Sequence, residues 1–275
     1  MVKITDYNRE VTDVDYQNVK ENNDPLKYNI ISVYIEKLRL NISFDNLNTR
    51  NILCLNQDFL VFDVEKEYRE QFWFYFGFTL FAFLLSLTPL LAKKTNEEIP
   101  LLIWSFYFVM ISLLIGQIYF FCRMPKKEFI FNRNHGLLTF PDRGRRSNNT
   151  MKFNIVKWST YRPDHPNQSS NLSYLIVRSP KTYFYAYTSM AYFDTPEIDK
   201  SDMFLHGNSD KMTLFAWYMD KNRPLPPGTA FDPYRQKDFE RRKAEGFPIP
   251  LYDASIETPE ATPEQQAERL MIGGW

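Results

Sequence analysis

The side chains that could support acid–base or metal chemistry are few and scattered in this chain. Its 275 residues include three histidines and two cysteines, Cys54 and Cys122. His135 precedes a glycine, and His165 lies in a proline-flanked loop; either could be a general base, but no nucleophile or carboxylate pattern accompanies it. No zinc spacing, Gly-x-Ser-x-Gly motif or phosphate-binding loop is present. The sequence therefore predicts a protein that is not an enzyme, with no catalytic residue, metal, cofactor or small-molecule substrate.

A cluster of basic residues indicates a different chemistry, contact with anionic lipid headgroups. These residues follow the second apolar run of the chain and are Arg123, Lys126, Lys127, Arg143, Arg145 and Arg146. Each positive charge near an anionic bilayer contributes about 1 kcal/mol to binding. The simpler alternative is the ordinary excess of Lys and Arg on the cytoplasmic side of a membrane protein, together with a solvated loop.

Two uncharged apolar runs, residues 72–92 and 100–122, dominate the middle of the chain. A helix of about 20 apolar residues crosses the hydrocarbon core of a bilayer. Because only residues 93–99 separate the runs, the sequence predicts a two-helix transmembrane hairpin over residues 72–122, rather than a hairpin buried in a soluble core. Trp73, Tyr75 and Tyr119 would then lie in the headgroup layer on the side of the termini.

The distribution of Lys and Arg predicts the orientation of this hairpin. The side of the termini carries more basic residues (Lys66, Arg69, Arg123, Lys126, Lys127 and Arg133) than the connector, where Lys93 and Lys94 are accompanied by Glu97 and Glu98. Since positive residues favour the cytoplasmic side, both termini are expected in the cytoplasm, with two spans across the membrane. The first residues are polar and resemble no signal peptide, so we expect the hairpin to direct its own insertion.

Composition narrows the function classes further. Lys plus Arg and Asp plus Glu both number 33, which gives a net charge of zero and no electrostatic case for nucleic acid as a partner. The mean hydropathy of −0.41 is negative despite the two apolar runs, so most of the chain is expected to face water. Two cysteines make no disulfide framework, as suits a cytoplasmic protein.

The remaining segments predict an α+β membrane protein. We expect a polar arm (1–28), a short α/β segment leading to the membrane (29–71), a cytoplasmic antiparallel β domain closed by a helix (123–222), and a proline-punctuated helical tail (223–275). In the β domain, alternation predicts a hairpin around residues 132–136, a strand over 152–158 and a second hairpin over 173–187. Apolar side chains at helical spacing predict a helix over 210–221. This order is similar to a pleckstrin-homology barrel at the level of fold analogy.

The segment 174–192 is rich in tyrosine, which indicates either an exposed binding face or ordinary sheet packing. In the tail, Asp232-Pro predicts the start of a helix that stops at Gly246. Thr262-Pro-Glu-Gln predicts a capping box, in which Thr262 caps the helix and Gln265 reaches back to it.

The tail also carries a family resemblance. Pro224-Leu-Pro-Pro-Gly, Phe231-Asp-Pro-Tyr-Arg, Phe239-Glu-Arg-Arg-Lys-Ala-Glu-Gly-Phe-Pro and the stretch from Thr258 to the terminal Trp resemble an uncharacterised proteobacterial family of hairpin-anchored membrane proteins. That family is linked to type VI secretion and polymorphic-toxin loci. The resemblance covers roughly residues 70–275 and implies an immunity protein, whose partner is a cognate toxin that it neutralises by occlusion. The alternatives are a membrane-anchored lipid- or signal-binding module and an accessory component of the secretion system.

Overall fold

The chain folds into two compact units. The computed structural model describes residues 29–31, 33–35, 52–63, 65–91, 101–141, 148–156, 158–161, 174–177, 186–187 and 212–275. One unit comprises residues 1–63, 128–142 and 148–275; the other comprises residues 64–127 and 143–147. The predicted polar arm 1–28 and the connector 93–99 lie outside the described residues.

The first unit contains a five-stranded antiparallel sheet. Its strands, in chain order and in spatial order, are β2 (Ile52–Leu55), β3 (Phe59–Asp63), β4 (Glu128–Asn132), β5 (Leu137–Phe140) and β6 (Asn149–Lys152). The β4–β5 pairing confirms the predicted hairpin, and Gly136 closes its turn at φ +64°, a conformation that costs glycine little. β4 is buried along its whole length. One face contributes Ile130 to a cluster with Phe59 and Val61.

A second sheet of the same unit has four antiparallel strands. These are β1 (Asn29–Ile31), β7 (Trp158–Tyr161), β8 (Tyr174–Val177) and β9 (Ala186–Tyr187), in the order β1-β7-β8-β9. The predicted strand over 152–158 is wrong, because a 3₁₀ turn at Phe153–Ile155 separates β6 from β7. Phe153 is buried while Ile155 is 50% exposed. The apparent alternation therefore does not place these two side chains on one face, and the chain passes there between the two sheets.

Along the chain, the two long helices lie between two strands that are neighbours in the five-stranded sheet. α1 (Glu65–Leu91) follows β3 and α2 (Leu101–Cys122) precedes β4. β3 and β4 pair in register, with Asp63 opposite Glu128. Strands before the helices thus share a sheet with strands after them, whereas the sequence alone suggested a β domain confined to residues 123–222.

A short helix, α3 (residues 212–219), joins the two sheets. It falls within the helix predicted over 210–221. The ring of Phe215 stacks on Phe131 of β4 at 4.6 Å between centroids, and it lies 6.1 Å from the ring of Trp158 of β7. Tyr218 donates a hydrogen bond to the carbonyl of Asn56 at 2.8 Å. Stacked rings of this kind add about 0.5–1.5 kcal/mol beyond their buried area.

The tail packs as part of the same unit. Helices α4 (Asp232–Ala244) and α5 (Pro263–Gly273) confirm the predicted tail helices. The backbone of Gly246 has φ +77° after α4, as a stop signal requires. Thr262 caps α5 by accepting from the amide of Gln265 at 3.3 Å. The side-chain nitrogen of Gln265 donates to the side-chain oxygen of Gln236 at 2.8 Å.

Candidate functional site

The outward faces of α1 and α2 form the largest exposed apolar surface of the described residues. Phe74, Phe78 and Phe108 are 71%, 68% and 73% exposed. Other exposed side chains continue this surface along both helices: Trp73, Tyr75, Phe81, Leu84, Leu85, Trp104, Phe106, Val109, Ile115 and Tyr119. Contiguous apolar surface on this scale marks a site of membrane or protein contact. Within the described part of the chain, Trp104–Cys122 is the one helix long and apolar enough to cross a membrane, and Phe72–Leu87 is a shorter apolar segment.

The inner faces of α1 and α2 pack against each other in antiparallel fashion. The ring of Phe72 stacks on that of Phe121 at 4.3 Å. Two polar contacts lie along the same interface: Tyr107 donates to the carbonyl of Ser86 at 2.6 Å, and the Gln117 amide donates to the hydroxyl of Thr79 at 3.1 Å. The sequence did not predict the contact between Gln117 and Thr79, although Gln117 is the one amide side chain in its apolar run. Hydrogen bonds between apolar helices help to fix their register.

The basic cluster is only partly placed at the surface. Arg123 and Lys126 are exposed, and the Arg123 guanidinium lies 5.3 Å from the centroid of the Tyr119 ring. Lys127 is fully buried, so the structure does not present its ammonium group for headgroup contact. Arg143, Arg145 and Arg146 lie outside the described residues.

The other polar side chains singled out by the sequence have local contacts. His135 lies in the β4–β5 turn, where Nδ1 is 3.2 Å from the Asn132 side-chain oxygen. Burial raises the pKa of the Cys54 thiol and the neighbouring Asp58 carboxylate raises it further, so Cys54 is poorly disposed to form a thiolate. His165 and most of the tyrosine-rich segment lie outside the described residues.

A buried line of alternating charges is the main polar feature that the sequence reasoning missed. It runs from Arg133 to Asp238 (2.7 Å), from Asp238 to Arg242 (2.9 Å), and from Arg242 to Glu260 (2.7 Å). Arg269 ends the line, 3.4 Å from Glu260. The side chains are all 5% exposed or less. Charges so deeply buried are tolerated only when paired and hydrogen-bonded.

This ion line connects four parts of the fold. Arg133 belongs to the β4–β5 turn, Asp238 and Arg242 to α4, Glu260 to the segment between α4 and α5, and Arg269 to α5. Arg133 also donates to the carbonyls of Asp220 and Arg223, at 3.0 and 2.6 Å. The carboxylates are thus fully engaged by guanidinium groups, and the arrangement holds the tail against the sheet turn.

Metal ligation has no candidate among the described residues, since no group of three or more His, Cys, Asp or Glu side chains is suitably placed. Two features of the described residues could carry function. One is the exposed apolar surface of α1 and α2, and the other is the tail (223–275), which the ion line holds against the β4–β5 turn. Comparison of the chain with protein-family models, with curated proteins and with solved structures gave no match.

Proposed function

We propose that α1 and α2 anchor the chain in a bacterial inner membrane as a two-span hairpin with both termini in the cytoplasm. The observation that carries this proposal is the exposure of aromatic and aliphatic side chains around both helices while their inner faces pack on each other. Lipid tails would cover the outward surface at no hydrophobic cost. The excess of basic residues on the side of the termini supports the orientation.

Thiol accessibility tests the two spans directly. In a background with Cys54→Ser and Cys122→Ser, the substitution Asn96→Cys in the connector is expected to react with a membrane-impermeant maleimide in intact spheroplasts. Native Cys122, which is exposed at the end of α2, is expected to react only after permeabilisation, when it is kept as the single cysteine. Equal labelling of the two sites in intact spheroplasts would contradict a two-span hairpin.

We further propose that this membrane-anchored protein is an immunity protein. It would bind a toxin delivered between bacteria and occlude the active surface of that toxin. The resemblance of the tail motifs supports this role, and the tail, which the ion line holds against the β4–β5 turn, offers a surface for protein binding. Co-expression with a candidate toxin from an adjacent gene is expected to restore the growth that this toxin inhibits and to yield a stable complex. Full resistance of cells that lack this chain would contradict the role.

An anionic-lipid module is the second candidate, favoured by the exposure of Arg123 and Lys126 after α2 and by the predicted likeness to a pleckstrin-homology barrel. Vesicle flotation of a version that lacks the two apolar runs, residues 72–122, and keeps the whole basic cluster separates the two functions. Salt-sensitive binding to anionic vesicles, lost on replacing Arg143, Arg145 and Arg146 by Gln, would favour the lipid role. Binding to the toxin alone would favour immunity.

A further inference from the structure

The segment between α4 and α5 lies on the first unit as a bound peptide would. We call residues 248–262 the strap. From Leu251 to Glu257 its side chains alternate between exposed and half-buried, which is the period of an extended strand with one face packed. The inward side chains of Tyr252, Ala254 and Ile256 pack against a buried cluster of Ile35, Ala216 and Trp217.

Most polar contacts of the first half of the strap involve its main chain. Ile35 pairs with Ala254 in a parallel bridge, donating to the carbonyl of Asp253 at 3.0 Å and accepting from the amide of Ser255 at 2.9 Å. The Asp220 carboxylate accepts from the amides of residues 251 and 252, at 3.0 and 3.2 Å. Arg223 donates to the carbonyl of Tyr252 at 2.9 Å. Contacts to main-chain groups recognise an extended conformation rather than one sequence.

The second half of the strap is recognised by charge. Arg242 forms two hydrogen bonds to the Glu260 carboxylate, both 2.7 Å, and Arg269 lies 3.4 Å from the same group. Arg223 also donates to the hydroxyl of Thr258 at 3.1 Å. Bidentate guanidinium–carboxylate pairs are strong and selective for a carboxylate. The strap site therefore combines strand addition, an apolar groove and a carboxylate-binding end.

We propose that this groove is a peptide-binding site that the strap occupies in cis, and that it accepts in trans an extended segment of a partner protein with the same chemistry. That segment carries apolar side chains at alternate positions, followed by a carboxylate that faces Arg242 and Arg269. The strap then competes with the partner, so release of the strap controls access to the groove. The inference depends neither on the membrane anchor nor on the immunity role.

A labelled synthetic peptide of residues 248–262 tests the site on the full-length protein in detergent micelles. Ala254→Arg places a long charged side chain on the packed face and is expected to displace the strap while leaving the groove intact. Ser255→Arg, on the exposed face of the same segment, is the matched control. We expect the peptide to bind Ala254→Arg at least about tenfold more tightly than Ser255→Arg or the parent protein. A peptide with Glu260→Gln should bind about tenfold more weakly.

Two results would overturn the proposal. One is a folded Ala254→Arg protein, with the near-ultraviolet dichroism of Ser255→Arg, that shows no peptide binding. If Ala254→Arg does not fold, hydrogen exchange of the parent protein decides. Millimolar unlabelled peptide is expected to accelerate exchange at the strap amides of Leu251, Tyr252 and Ser255 at least about tenfold, while amides of β3 and β4 are unaffected. Unchanged exchange at the strap amides would show that the strap is a permanent part of the fold.

Discussion

Replacing residues 64–127 with the dipeptide Asn-Gly is expected to convert the protein into a soluble, cooperatively folded unit. β3 and β4 already pair in register, and Asp63 lies opposite Glu128. A two-residue Asn-Gly loop is the preferred connection between residues paired in this way, because its type I′ turn matches the twist of the strands. The replaced segment contains the apolar surface of α1 and α2, whereas the other unit keeps its own core.

The expected measurement is a move from the membrane pellet to the supernatant after ultracentrifugation, with a single cooperative urea transition. Excision also removes the buried ammonium group of Lys127, and Glu128 is itself buried. A companion version with Glu128→Gln therefore keeps the buried charge of the unit balanced. At roughly 0.3–0.6 kcal/mol for each buried Leu or Phe, loss of both apolar runs removes most of the free energy of membrane insertion.

The matched control for this excision is a version that also lacks Glu128. Removing one further residue slips β4 by one position against β3 and turns its side chains to the opposite face. Phe131, stacked on Phe215, would then lose its place in the core. We expect this version to aggregate. Equal solubility and cooperativity of the two versions would show that the β3–β4 register does not organise the sheet.

The structure confirms several of the elements that local sequence predicts. Each has a local cause. The β4–β5 hairpin has a glycine in its turn, α3 has apolar side chains at helical spacing, α4 has a proline in its first turn, and α5 has a proline after the capping residue Thr262. The predicted strand over 152–158 was wrong because Phe153–Ile155 form a tight turn, although apolar and polar residues alternate there as in a strand. The turn leaves Ile155 exposed. The residue pattern there is that of a β-strand, but the backbone conformation is that of a 3₁₀ turn.

The long-range features were not predictable for a different reason. β3 and β4 are neighbours in the sheet although two long helices separate them in the chain. Arg133 and Asp238, which form the innermost ion pair, are 105 positions apart. No local periodicity records such pairs, and each residue by itself resembles an ordinary surface charge. The position of the exposed apolar helices was predictable, because length and composition alone determine it.

The substitution Asp238→Asn is expected to lower the free energy of unfolding by about 3–5 kcal/mol at pH 7, the usual cost of removing one partner from a buried ionic group. The native Asp238 carboxylate accepts hydrogen bonds from Arg133 and Arg241 through Oδ1, at 2.7 and 3.0 Å, and from Arg242 through Oδ2, at 2.9 Å. An amide has the same shape but leaves these guanidinium groups short of one negative charge. Urea denaturation measures the loss. Glu245→Gln is the matched control, because Glu245 also pairs with Arg241 but its own side chain is 42% exposed. Exposed ion pairs contribute only about 0–1 kcal/mol to the free energy of unfolding.

The pH dependence of this loss identifies its electrostatic origin. Burial by itself would raise the pKa of Asp238, but the guanidinium groups of Arg133, Arg242 and Arg241 outweigh burial and hold that pKa below the ordinary value of 3.8. A carboxyl whose pKa is lower in the folded state stabilises the fold fully above its unfolded pKa and loses that contribution as pH falls through the folded value. The difference in unfolding free energy between the parent and Asp238→Asn should therefore be constant from pH 7 to about pH 5 and shrink below about pH 4. A difference that persists unchanged to pH 3 would mean that Asp238 acts through packing or neutral hydrogen bonds, and that the ion line does not hold the tail by charge.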